Sequence, residues 1–363
     1  MARHPVFVTR KFPPSVGGME TLAAGVWRSV LAVRPDAVKI SHGGSNRDLA
    51  WWVPGCLVRL TWLCLTGRAE HVLCGDALMN ALCAPALKIF QVPSATMIHG
   101  LDITYGNRLY SAVVIPQLRR AAVVIANSTA TSRRAVEFGV PENRLAVLRL
   151  GIEPPPAGRP GRQEARVALR RRFGLADDAV MLLTLGRLVP RKGVRWFTKS
   201  VLPQLDEDVQ YLIAGQGPEE ASITAAAKTA GVAKRVHLLG LVTDQLREEL
   251  MAGADIFVAS NIPVPGDIEG FGLVAVEAAT RDTIVVAADL EGLKDAVIDG
   301  HTGILLPPGD ARAWTSRLAG LLADRGKLAS LGDQFGKKAR DIYSEEAMGQ
   351  ALCALLGIGP ARA

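Results

Sequence analysis

Two carboxylates, Glu269 and Glu277, flank the segment Gly270-Phe-Gly-Leu-Val-Ala-Val, a Gly-aromatic-Gly turn that runs into an apolar stretch with the look of a helix start. A turn of this kind at a helix N-terminus exposes backbone N–H groups, and the helix dipole favours an anion such as a diphosphate there. Glu277 follows Gly272 by five residues. At a rise of ~1.5 Å per residue its carboxylate sits ~7 Å along the axis, roughly the reach from a phosphate to a ribose. Glu269, on the loop, is left for something beyond the phosphate. Hydroxyls at both ends and an anion between them is the order of contacts that a nucleotide-sugar needs.

Other loops add chemistry of the same kind. Gly186-Arg187-Leu-Val-Pro-Arg-Lys192-Gly193 follows an apolar run and precedes a helical pattern. Arg187 offers a planar fork and Lys192 a point charge, a pair suited to clamping a diphosphate and to neutralising it as it departs. His99, with Gly100 beside it, closes another apolar run, where it can donate to a sugar hydroxyl or a leaving oxygen with Asp102 to orient it. Gly17-Gly18 opens a helical pattern and lets backbone approach a phosphate or sugar closely. Gly215-Gln-Gly217-Pro218 matches the dinucleotide fingerprint only in part, which argues against a nicotinamide site. The sequence contains no GxxxxGK[ST] loop, GxSxG elbow or HExxH helix, and its six histidines are scattered, so no metal site is expected.

The elements that must position these loops alternate short β-branched runs with longer helical patterns, the signature of parallel βαβ units. In the first half the strands are expected near residues 6–8, 71–74, 94–99, 123–126 and 146–149, and in the second near 181–186, 210–214, 236–239, 256–259 and 283–287. The Pro- and Gly-rich stretch from Gly151 to Gly161 reads as a linker. With 363 residues, two domains are the natural division. At 49% hydrophobic and 21% charged the chain has large cores, and disorder is not expected. Five cysteines without metal-like spacing suit a reducing compartment, and cytoplasm is the default expectation.

The net charge of +7 admits nucleic acid, an anionic membrane or an anionic small substrate. The densest basic run, Arg166-Val-Ala-Leu-Arg-Arg-Arg172, lacks interleaved aromatics. It is expected to be a solvated helix face, and no nucleic-acid partner is expected. Trp51, Trp52 and Trp62 share one candidate helix with Leu57, Leu60, Leu63 and Arg59. Core packing is the expectation for it; peripheral contact with the inner membrane surface is the alternative that the indoles keep open.

Taken in order, Gly17-Gly18 with Glu20, His99-Gly-Leu-Asp102, Asn127-Ser128, Gly186-Arg187 with Lys192-Gly193, Gly215-Gln-Gly217, Gly240 and Glu269 to Glu277 resemble the retaining GT-B glycosyltransferases of family 4. The resemblance implies an α/β chain with two Rossmann-like, doubly wound parallel-sheet domains facing a central cleft. The first would be 1–153, an acceptor domain completed by a crossover helix from 345 to 363, and the second 154–344, a nucleotide-sugar domain. It implies a hexosyl transfer from a UDP- or GDP-sugar to a cell-envelope, polysaccharide or natural-product acceptor, sugar, lipid-linked or small, with no cofactor and no metal. Arg187 and Lys192, helped by Gly17 and Gly18, would hold the diphosphate, Glu277 the ribose, and Leu241 would border the base. Glu269 and the Gly270, Phe271, Gly272 and Leu273 backbone would hold the sugar, and His99 would contact its reacting end; Asp102 and Gly215 are also assigned to the donor. The long Asn261–Ile268 stretch, and Arg281-Asp282 in place of a small-residue turn, depart from the family pattern. A catalytically silent nucleotide-sugar sensor or partner subunit is the alternative from another class.

Overall fold

The computed structural model describes residues 3–15, 17–45, 47–100, 103 and 105–359, and it divides into two compact units, Met1–Glu153 with Tyr343–Ala363, and Pro154–Ile342. Asp102 lies outside the described residues.

In the first unit, β1 (His4–Thr9), β2 (Val38–Ser41), β3 (Ala69–Cys74), β4 (Ser94–Ile98), β5 (Val123–Ala126) and β6 (Leu145–Val147) form one parallel sheet in the order β2-β1-β3-β4-β5-β6. Strands of this kind are covered on both faces, so runs such as Val6-Phe-Val8 and Val124-Ile-Ala126 are apolar throughout and buried. The helices between them are α1 (Gly18–Val33), α2 (Leu49–Leu65), α3 (Ala77–Ile89), α4 (Arg108–Arg120) and α5 (Thr129–Glu137). Short polar side chains start three of them by accepting a backbone N–H: Asp76 from Met79 (3.0 Å), Asn107 from Tyr110 (3.0 Å) and Ser128 from Thr131 (3.1 Å).

The second unit repeats the plan with β7 (Val180–Leu185), β8 (Val209–Ala214), β9 (Val236–Gly240), β10 (Ile256–Ala259), β11 (Ile284–Ala288) and β12 (Ile304–Leu306), ordered β12-β11-β10-β7-β8-β9 and parallel throughout. Its helices are α6 (Arg162–Phe173), α7 (Val194–Ser200), α8 (Glu220–Thr229), α9 (Asp244–Gly253), α10 (Leu273–Ala279), α11 (Leu293–Ala296), α12 (Ala311–Leu322) and α13 (Arg325–Ile342). The last helix, α14 (Glu345–Leu356), belongs to the first unit and lies on α1. Gly349 allows the contact, since a Cβ there would overlap the Ser29 carbonyl, and Arg28 clasps Glu345 with Nε at 2.9 Å from one carboxylate oxygen and Nη2 at 2.6 Å from the other.

In each sheet the strand order reverses beside the first strand of its unit, and loops at the carboxyl ends of the flanking strands are where open parallel sheets bind ligands. These loops carry the residues singled out above.

Two expectations need correction. The basic run in α6 is not simply solvated: Arg166 forms an ion pair with Asp255, whose other oxygen accepts the Met181 N–H at 2.8 Å, and Arg170 donates to the Ala179 carbonyl at 3.1 Å. Arg171 and Arg172 are the exposed arginines of the run, and Arg172 lies 3.7 Å from Glu249. The tryptophan helix is not simply core either. Cys56, Leu60, Leu63 and Cys64 of α2 are buried against the sheet, whereas Trp51 is 87% and Trp62 49% exposed.

Candidate functional site

The strongest convergence is in the second unit. After β7 the chain makes a short turn, Pro190–Lys192, and enters α7 through Gly193, whose φ of 65° places it in the left-handed region. A Cβ on Gly193 would overlap the Ser260 carbonyl, because the loop after β10 lies directly against this turn. Ile262 N–H donates to the Arg191 carbonyl at 2.9 Å, and the Ser260 hydroxyl to the Lys192 carbonyl at 3.3 Å. Both the backbone conformation and the close contact require glycine, so Gly193→Ala is expected to cost ~2 kcal/mol or more. Its melting temperature should fall by several degrees; an unchanged value would contradict this packing.

That docking brings Lys192 onto the Glu269 carboxylate, with which it forms an ion pair. The same Glu269 oxygen accepts from Asn261 Nδ2 at 3.0 Å and lies 3.8 Å from Arg191 Nε, while Arg191 Nη1 lies 3.5 Å from Asp267. Glu269 is 7% exposed. Burial opposes its ionisation, but Lys192 and Arg191 outweigh that and hold the carboxyl below its ordinary value. It is therefore an ionised acceptor at neutral pH. Its backbone N–H donates to Glu291 at 2.6 Å, and burial pushes the Glu291 carboxyl up.

Glu277 sits on α10 one segment further along, and it does not join this cluster. Its carboxylate pairs with Arg247 of α9, and burial pushes its pKa up against the opposing pull of Arg247 and Arg281. The acids and cations thus form two pairs, Lys192–Glu269 and Arg247–Glu277, bracketing the Gly270–Gly272 turn. Arg187 is exposed at the start of its loop.

The glycines divide by role. Gly215 has φ 133°, a Cβ on it would overlap the Gly186 carbonyl, and its N–H donates to the Gly240 carbonyl at 2.7 Å. It closes the packing between the loops after β7, β8 and β9. Gly272 (φ 95°) caps α10 and is fitted against Leu293, whose Cδ2 would lie 2.6 Å from an added Cβ. Phe271 is 3% exposed, so its ring belongs to the core and only its backbone stands beside the turn. Leu273 is half-buried, and Leu241 is 78% exposed beyond the end of β9.

In the first unit, His99 and the Gly17-Gly18 pair sit at the carboxyl ends of β4 and β1. His99 Nε2 lies 2.8 Å from the Gly75 carbonyl, which can only accept, so Nε2 carries the proton and the ring orientation is set by backbone. A Cβ on Gly17 would overlap the Glu20 carboxylate, which folds back over the helix start and pairs with Lys11 at 3.3 Å; Gly18 faces open space.

Arg191, Asn261, Glu291 and Arg247 are the site residues that sequence reasoning did not assign. Arg191 stood in the quoted loop beside Lys192, and the long 261–268 stretch flagged as a departure supplies Asn261 and Asp267. Nothing in the spacing of α9 marks Arg247. Among the described residues no group of three or more His, Cys, Asp or Glu could hold a metal ion.

Two parallel six-stranded sheets with flanking helices define the GT-B class of glycosyltransferase fold. HepE of Anabaena, solved with UDP, superposes with a TM-score of 0.74 at 20% identity over 98% of this chain and 99% of that one. The catalytic domain of starch synthase IV of Arabidopsis thaliana, bound to ADP and acarbose, gives 0.76 at 14% identity over 98% and 99%. The chain belongs to the glycosyltransferases of family 4 type: residues 179–324 match the model for Glycosyl transferases group 1, and residues 35–154 that for Glycosyltransferase Family 4. It is similar to a D-inositol 3-phosphate glycosyltransferase of Xylanimonas cellulosilytica, 33% identical over 53% of this chain and 46% of that one, and so spans about half the length of this relative. A GDP-mannose-dependent alpha-(1-6)-phosphatidylinositol monomannoside mannosyltransferase of Mycolicibacterium smegmatis aligns at 28% identity over 97% of both chains.

Proposed function

We propose that this chain is a retaining glycosyltransferase that moves a hexosyl unit from a UDP- or GDP-sugar to a cell-envelope, polysaccharide or natural-product hydroxyl. The observation that carries the reading is the ionised, buried Glu269 held against Lys192 and Arg191 beside the turn that leads to Glu277. An ionised carboxylate only accepts, so Glu269 suits the hydroxyls of a sugar, while the cations beside it suit the phosphates. The relative named for GDP-mannose, and neighbours solved with UDP and ADP, support a nucleoside diphosphate donor and leave the base open.

In this reading the bond between the anomeric carbon and the diphosphate oxygen breaks, the acceptor oxygen bonds that carbon on the same face, and the acceptor proton passes to the departing diphosphate. No metal ion takes part. Negative charge builds on the leaving diphosphate, and Lys192, Arg191 and Arg187 are the fixed positive groups that meet it. Glu277 takes the ribose hydroxyls, sharing its carboxylate with Arg247, and His99 contacts the sugar.

A thermal-shift panel of uridine, guanosine and adenosine diphosphates and their sugars tests the donor. A nucleotide at 100 times its dissociation constant adds ~2.7 kcal/mol to the native state, a shift of several degrees. One base should stand out, and slow release of free sugar from its nucleotide-sugar should follow. Binding without release would instead fit a silent sensor, and no shift with any base would remove both readings.

A further inference from the structure

Three neighbouring helices of the first unit, α2, α3 and α4, contain no aspartate or glutamate at all, although the chain has 35 acids. They carry Arg59, Lys88, Arg108, Arg119 and Arg120, every one of them exposed. Between these cations lies apolar surface. On α2, Trp51, Val58, Trp62 and Leu65 are 87%, 71%, 49% and 69% exposed, and their spacing puts them on one stripe opposite the buried Cys56, Leu60 and Leu63. Ile89 of α3 and Leu109 of α4 add 73% and 76% exposed side chains. Single exposed hydrophobics are ordinary, but a helix apolar on both faces is one that is covered on both.

The charge pattern says what covers it. A second copy meeting this face through a two-fold axis would set cations against cations with no carboxylate in the three helices to balance them. A nucleic acid would have to press phosphates onto the apolar stripe at the centre of the face. Anionic lipid meets both demands at once, since indoles favour the headgroup layer with their apolar body inward, and guanidinium groups sit at the same depth as phosphates. The Arg68 guanidinium already lies 5.2 Å from the Trp62 ring, at the edge of the stripe. No helix among the described residues is long and apolar enough to cross a membrane, so the contact lies in the interface plane.

We propose that the α2–α3–α4 face rests on an anionic bilayer surface, with Trp51 and Trp62 at headgroup level and Arg59, Lys88 and Arg108 on lipid phosphates. The proposal stands apart from the donor site, since these helices hold none of the residues assigned to it.

Flotation of the whole chain with phosphatidylcholine vesicles, with and without about a third phosphatidylglycerol, reads the binding directly. The chain should float with the anionic vesicles only, and should come off as salt rises. W51S/W62S should weaken binding by ~10-fold or more, and R59Q/K88Q/R108Q on the order of 100-fold, from about fivefold per cation. Both variants change exposed side chains and should keep the wild-type melting temperature within a few degrees. Failure to float with either vesicle would overturn the proposal. So would light scattering that shows a dimer dissolved by W51S/W62S, or duplex nucleic acid that displaces the chain from vesicles with the tryptophan variants binding it normally.

Discussion

Lys192→Ala is expected to lower turnover by ~10²- to 10³-fold while donor affinity falls by no more than ~10-fold. The ammonium lies on the Glu269 carboxylate at rest, so in the free protein its charge is already partly answered. Its stabilising effect becomes largest when the departing diphosphate gains charge, which places the loss on the transition state rather than on binding. The side chain is mostly shielded and Glu269 keeps Asn261 and Arg191 when the lysine is gone, so the fold should survive. Lys192→Arg, which keeps the charge but spreads it over a larger planar group, should recover part of the rate. Single-turnover rates with the thermal-shift donor decide the matter. A variant with undiminished turnover would take Lys192 out of the diphosphate clamp.

Glu277→Ala should act on the other side of the balance, weakening donor binding by ~1.5 to 3 kcal/mol with a smaller change in the bound-state rate. The carboxylate is held in place by Arg247 and shielded from water, so it meets the ribose hydroxyls without first having to be ordered. Its removal also leaves Arg247 without that partner, although Glu248 remains 3.7 Å away. Titration calorimetry with the free nucleoside diphosphate isolates the effect from the sugar. Equal affinities for wild type and variant would leave the Arg247–Glu277 pair as a link between α9 and α10 only.

What the sequence could reveal followed from how much of the signal is local. The central strands, such as Val123–Ala126 and Ile256–Ala259, are covered on both faces and so appear as unbroken apolar runs with strong boundaries. The strands that escaped are edges. Val-Lys-Ile-Ser at β2 is half-buried with a lysine in its middle, and the three residues of β12 run straight into Pro307 and Pro308. Neither carries a pattern that a single chain can display without its neighbour.

The site was legible to the same degree. Lys192, Glu269 and Glu277 announce themselves because charges are rare in apolar surroundings, but which charge meets which is a property of tertiary contact. Arg247 reaches Glu277 from 30 residues away, and only the packing of α9 on α10 makes the pair. The Phe271 ring turns inward to fill the core beneath the turn, which leaves the backbone role expected of this residue untouched. Arg281 and Asp282 looked like a break in the family pattern. In the structure Arg281 holds Glu248 at 2.7 Å through both of its carboxylate oxygens, and Asp282 adopts φ 65° with its side chain taken by Arg340 at 2.6 Å and Arg159 at 3.3 Å. Side-chain anchoring replaces the freedom of the missing glycine.

A crystal structure of the chain soaked with the nucleoside diphosphate that gives the largest thermal shift bears most directly on the two-pair site. Phosphate oxygens within hydrogen-bond distance of Lys192 or Arg187, with ribose hydroxyls on the Glu277 carboxylate, are the predicted result. A diphosphate bound elsewhere in the chain, with both ion pairs untouched, would contradict it.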